Sequence, residues 1–117
     1  MPSILVVDDN SEVREVVCEF LRDSGHLVFA AGSALQARAL LAREPLDLLI
    51  VDCVMSGEQG DSLAAHALTL GVPAILTSGD LRYGETIAPS TAPFLSKPFR
   101  LSQLEDLVAR TARPPRQ

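Results

Sequence analysis

The chain has 117 residues, 47% hydrophobic and 21% charged, with 10 Lys plus Arg against 15 Asp plus Glu and a net charge of −5. That length and balance fit one globular domain with a single core, and the negative charge argues against direct nucleic-acid binding by this domain. Two cysteines give no disulfide framework, and no apolar run approaches the roughly 20 residues that span a bilayer. Cys18 and Cys53 read as buried, reduced residues. The sequence enters Ile4-Leu5-Val6-Val7 without a basic leader, so a cytoplasmic, membrane-free protein is expected.

Ser3 to Val7 is a β-branched apolar run ending in Asp8-Asp9, the pattern of a buried strand. Residues 10–24 carry Val13, Val16, Val17, Phe20 and Leu21, the apolar stripe of a helix lying on a sheet. Asn10 or Ser11 can cap that helix, and Gly25 ends it. His26 to Ala31 reads as a second strand. Ser33-Ala34-Leu35-Gln36 is a capping box that opens a helix to about Glu44, and Pro45 stops it. Asp47 to Asp52 is the third strand: Leu48-Leu49-Ile50-Val51 runs straight into one carboxylate.

A helix from about Glu58 to Leu70 places Leu63, Ala67 and Leu70 at helical spacing, with Gly71 as terminator. Pro73 to Thr77 is a fourth strand. Residues 79–92 hold two glycines and Pro89 with little periodicity, which predicts at most one short helix, over Leu81 to Ala88. Phe94-Leu95-Ser96 is a short fifth strand before Lys97-Pro98-Phe99. A last helix is expected from Ser102, with Glu105 completing a capping box, and carries Leu104, Leu107 and Val108. Residues 1–112 form the domain, and 113–117 read as a disordered tail or a cut linker.

Strands alternating with helices give a parallel sheet covered on both faces. The expected architecture is a flavodoxin-like, doubly wound (βα)5 sandwich with strand order 2-1-3-4-5 and a short or irregular fourth helix. That order sets strands 1 and 3 side by side and brings Asp8, Asp9 and Asp52 to one rim. Three carboxylates there repel one another and oppose an incoming anion, and a hard divalent cation such as Mg²⁺ relieves both. Strand 4 delivers Thr77 to the same rim, and strand 5 delivers Lys97, held by the Pro98 turn. Carboxylates, a metal, a hydroxyl and a lysine make a phosphoryl-transfer set.

On these residues the chain resembles a receiver domain of the two-component response regulators. The likeness rests on Val7-Asp8-Asp9-Asn10, on Asp52-Cys53-Val54-Met55 with Gly60 eight residues after Asp52, on Leu76-Thr77-Ser78, and on Phe94 to Phe99, and covers residues 3–112. The resemblance implies that Asp52 accepts a phosphoryl group from a histidine kinase or a histidine phosphotransfer protein. It implies Mg²⁺ held by Asp9, Asp52 and the Val54 carbonyl, with Asp8 assisting. Thr77 and Lys97 would contact the phosphoryl oxygens, and Thr77 with Phe94 would form the switch. The output would be a downstream protein target or a second copy of the domain, with no enzymatic activity beyond self-phosphorylation and self-dephosphorylation. Ser56 stands where the family usually has Pro, and the interval from Thr77 to Lys97 is shorter than usual, as in some stand-alone receivers. Residues 78–93 are expected to be the most mobile part of the unphosphorylated domain. The competing readings are a small Mg²⁺-dependent phosphatase with Asp52 as nucleophile, and a docking domain with a vestigial site.

Overall fold

Parity along the strands decides the layers of this molecule. The computed structural model describes residues 2–53, 60–78, 93–96 and 99–112. Within them lie five strands, β1 (Ser3–Val7), β2 (Leu27–Ala31), β3 (Leu48–Asp52), β4 (Ala74–Ser78) and β5 (Phe94–Ser96), and four helices, α1 (Ser11–Asp23), α2 (Ala34–Arg43), α3 (Gly60–Thr69) and α4 (Leu101–Thr111). All strand pairs are parallel and the sheet order is β2-β1-β3-β4-β5, as expected from the sequence. The short helix read over Leu81 to Ala88, the mobile segment expected over 78–93 and the tail from 113 fall wholly or almost wholly outside the described residues.

Successive strand residues point to opposite faces. Ile4 and Val6 of β1, Leu48 and Ile50 of β3 and Ile75 of β4 therefore share one face. They pack with Val17, Cys18 and Leu21 of α1 and with Leu104 and Val108 of α4. The other parity, Leu5, Val7, Leu49, Val51, Ala74 and Leu76, packs with Ala37 and Leu41 of α2 and Leu63, Ala64 and Ala67 of α3. With helices on both faces, the central strands have no solvated side, so β3 and β4 are buried at every position and apolar up to the polar residues at their carboxyl ends.

The caps explain the helix boundaries. Asn10 caps α1, its Oδ1 accepting from the amides of Glu12 at 3.0 Å and Val13 at 3.2 Å. Gly25 and Gly71 adopt φ of 97° and 79°, the left-handed backbone that closes a helix end. The amide after each reaches back to a helix carbonyl, His26 to Leu21 and Val72 to Ala67.

Four expectations need correction. Val16 is 56% exposed and Cys18 is buried in its stead, because the apolar stripe of α1 is rotated about the helix axis toward Cys18 and Leu21. Leu70 lies beyond the end of α3 and is 46% exposed. In the α2 capping box, Ser33 Oγ accepts from the Gln36 amide as expected, but the Gln36 side chain accepts from Gly32, one residue further back than Ser33. The last helix starts at Leu101 rather than Ser102. There Gln103 Oε1 accepts from the Arg100 amide at 2.9 Å, the reciprocal bond expected from Glu105. Glu105 instead faces His26, Oε1 to Nε2 3.4 Å, across the α1–β2 corner.

Candidate functional site

The site is built by the same parity that sorts the core. Asp8 continues the Ile4, Val6 series, Asp52 the Leu48, Ile50 series, and Thr77 follows Ile75. All three therefore belong to the α1 and α4 face, at the carboxyl ends of β1, β3 and β4, where open α/β sheets gather their functional groups. The register seats Asp52 directly opposite Thr77 and Val51 beside Val7. The ladders run on past the strand ends, with the Cys53 amide on the Thr77 carbonyl at 2.8 Å and the Asp8 amide on the Ala31 carbonyl at 3.2 Å. These bonds fix the backbone from which the carboxylates project.

Asp8, Asp9 and Asp52 each bring a carboxylate oxygen to a common point, the three oxygens lying within 4.8 Å of one another. Asp8 is 4% exposed and Asp52 9%, while Asp9 is open to solvent. Carboxylates this desolvated need donors or cations near them. Asp8 Oδ1 accepts from the Asn10 amide at 2.9 Å, an Asx turn that leads straight into the α1 cap. Three hard oxygen donors with one side open suit Mg²⁺, which takes one or two carboxylates and keeps its waters.

Two of the expected contributors, Val54 and Lys97, fall outside the described residues. Thr77 sits at the rim but is 3% exposed, more deeply set than a rim position suggests. Phe94 is half-buried and packs against the α2 and α3 cluster, in register with Leu76, so it lies on the sheet face opposite to Thr77. Thr77 itself pairs with Leu95.

Three residues have supporting roles that sequence reasoning did not assign. Gly60 opens α3 with its amide on the Cys53 carbonyl at 3.0 Å, and a Cβ there would collide with the Asp52 carbonyl and with Cys53 Cα. Its place eight residues after Asp52 was visible; the close backbone approach that demands glycine was not. Arg14, one turn into α1, donates from Nη1 to the Asp8 carbonyl at 2.8 Å. Phe99 is half-buried and lines, with Asp8, Arg14 and Thr77, a cavity of about 10 Å³, the room of one water.

The profile of the response regulator receiver domain matches residues 4–109. The chain is 34% identical to protein PetR of Rhodobacter capsulatus over 88% of its own length and 45% of PetR. It is 35% identical to response regulator protein FleR of Pseudomonas aeruginosa over 93% of its length and 24% of FleR. The chain thus spans less than half the length of these curated relatives. Among solved structures, response regulator TrrA of Thermotoga maritima, crystallised in complex with Mg²⁺–BeF, superposes with a TM-score of 0.86 at 26% identity, covering 94% of this chain and 98% of that one. A response regulator receiver protein from Pseudomonas putida gives 0.83 at 31% identity, covering 93% and 96%.

Proposed function

The chain belongs to the response regulator receiver domain family, and from that membership we propose that it is a phosphoacceptor signalling domain with Asp52 as the acceptor. The observation that carries the reading is the meeting of the Asp8, Asp9 and Asp52 carboxylates at the end of a fully buried strand, opposite Thr77. An oxygen of Asp52 attacks the phosphorus of a phosphohistidine on a histidine kinase or phosphotransfer protein. The P–O bond forms as the P–N bond breaks, and the donor imidazole leaves with the electron pair. Bound Mg²⁺, held by Asp9, Asp52 and the Val54 carbonyl with Asp8 in support, would supply the positive charge that lets an anion approach this acidic rim. The Thr77 hydroxyl and the Lys97 ammonium hold the phosphoryl oxygens. TrrA, so similar in fold, binds Mg²⁺ with beryllofluoride, which supports the assignment. The output is a change of surface that a downstream protein or a second copy of the domain reads.

The test is intact mass after incubation with a small-molecule phosphodonor and Mg²⁺. One phosphoryl group is expected, labile as an acyl phosphate is, and absent from Asp52→Asn and from samples in excess chelator. Phosphate found on Ser78 or His66, or transfer that proceeds equally well in chelator, would sink the reading. Turnover of a phosphate ester in large excess over protein would instead favour a phosphatase.

A further inference from the structure

The carboxylates are carried by a short turn, and that turn is held from outside the acidic group. The side chain of Arg14 folds back along α1 and donates from Nη1 to the main-chain carbonyl of Asp8 at 2.8 Å. Asp8 is the residue at which the chain leaves β1, and Asp9 and Asn10 complete the turn before α1. The guanidinium has its place because Gly32 has no side chain: a Cβ there would stand 2.9 Å from Arg14 Nη1. Gly32 does not need glycine for its backbone, since its φ is not positive. It is in turn pinned by Gln36, whose Oε1 accepts from the Gly32 amide at 2.8 Å. A charged donor on a main-chain carbonyl is among the stronger hydrogen bonds.

We infer that Arg14 is a positioning residue for the metal-binding carboxylates, clamping the Asp8-Asp9 turn through the Asp8 carbonyl, with Gly32 as its clearance. The inference rests on the phosphoacceptor reading for what the carboxylates hold, and adds the residue that keeps them in place. Arg14 touches neither metal nor phosphoryl group in this role. It acts on the backbone, so its loss loosens Asp8 and Asp9 together and leaves β3 and Asp52 where they are. Groups that orient metal ligands from behind typically cost about tenfold or more in affinity when removed.

The experiment compares wild type, Arg14→Met, Arg14→Lys, Gly32→Val and the Arg14→Met/Gly32→Val double variant. Two quantities are read: amide hydrogen exchange at Asp9 and Asn10 in metal-free protein, and Mg²⁺ affinity from NMR shift titration. Arg14→Met is expected to speed exchange at the turn and weaken Mg²⁺ binding by about tenfold, with exchange in β3 and β4 unchanged. Arg14→Lys, still able to donate one bond, recovers part of both. Gly32→Val displaces the guanidinium and moves both in the same direction, and adds nothing in the Arg14→Met background. Mg²⁺ affinity within about twofold of wild type in Arg14→Met, or effects of the two single variants that simply add, would overturn the inference. A wild type that binds no Mg²⁺, or an Asp52→Asn variant that is phosphorylated normally, marks failure of the phosphoacceptor reading itself.

Discussion

Asp52 reaches its place because four apolar residues before it have nowhere to go but the sheet, and that much is legible in Leu48-Leu49-Ile50-Val51 alone. Asp8, Asp9 and Thr77 are legible for the same reason, as polar residues at the ends of apolar runs. Arg14 was not, because a guanidinium on a main-chain carbonyl leaves no trace in a pattern of apolar and polar positions. Thr77 shows the limit from the other side: its rim position was readable, its burial was not. Because it is 3% exposed, Thr77→Ala should lose stability by about 1–2 kcal/mol, whereas Thr77→Val fills the space and removes only the hydroxyl. Thr77→Val is therefore the cleaner test of function. It is expected to fold and to lose the spectral changes that a beryllofluoride adduct induces in wild type; an unchanged response counts against the role of the hydroxyl.

Cys18 offers a second prediction at the same scale. Burial pushes its thiol above the ordinary value of 9.0, and Arg22 and then Arg14 only partly offset this. The folded protein therefore holds the thiol proton more tightly than the unfolded chain. Stability from this source is intact below pH 9 and falls as pH rises through the unfolded value towards the folded one. Unfolding midpoints in urea at pH 8 and pH 10 should differ more for wild type than for Cys18→Ala. Equal differences in the two proteins would show that folding does not raise the proton affinity of this thiol. In the native state below pH 9, Cys18 and the equally buried Cys53 should react slowly with alkylating reagents.

Elements were readable where caps and periodicity agree, and less so where a side chain could choose between neighbours. The order and type of all nine described elements follow from apolar runs and from Gly25, Pro45 and Gly71. What shifted were ends: Gln103 rather than Glu105 closes the start of α4, and Gln36 reaches Gly32 rather than Ser33. Residues of equal capping ability one or two positions apart differ only in backbone geometry, which sequence does not display. At the start of α1 the capping role of Asn10 is unambiguous, with two amides on one oxygen. Asn10→Ala should cost about 1 kcal/mol by chemical denaturation, and Asn10→Ser far less. The start of α3 is less forgiving. A methyl group on Gly60 meets main chain, which cannot swing aside as a side chain can. Gly60→Ala is expected to lose several kcal/mol, on the order of 3, and to move Asp52 with it. A melting temperature unchanged from wild type would show that α3 shifts away freely.

At the scale of the whole molecule, the strand order was legible because alternating strands and helices leave few topologies, and because a switch point between strands 1 and 3 is needed to bring the acidic residues together. The same convergence would couple the stability of the entire fold to a cation bound there. Three carboxylates within 4.8 Å of one another repel in the metal-free state, and the unfolded chain holds them apart. Any cation that binds the gathered set and not the unfolded chain stabilises the native state, by about 2.7 kcal/mol at a hundredfold excess over its Kd. Mg²⁺ should therefore raise the melting temperature in a concentration-dependent way, and Ca²⁺, which demands more oxygen ligands, should do so less. Asp9→Asn separates the two halves of this argument. Removing the exposed charge relieves repulsion, so the variant without metal should melt at or above the wild-type temperature. Removing a ligand forfeits the cation, so the same variant should gain little from Mg²⁺. The two melting curves of wild type, with and without Mg²⁺, should thus bracket those of the variant. If Asp9→Asn is destabilised in the absence of metal, the acidic group is held by contacts that outweigh its repulsion. If it gains as much from Mg²⁺ as wild type does, Asp9 is no ligand.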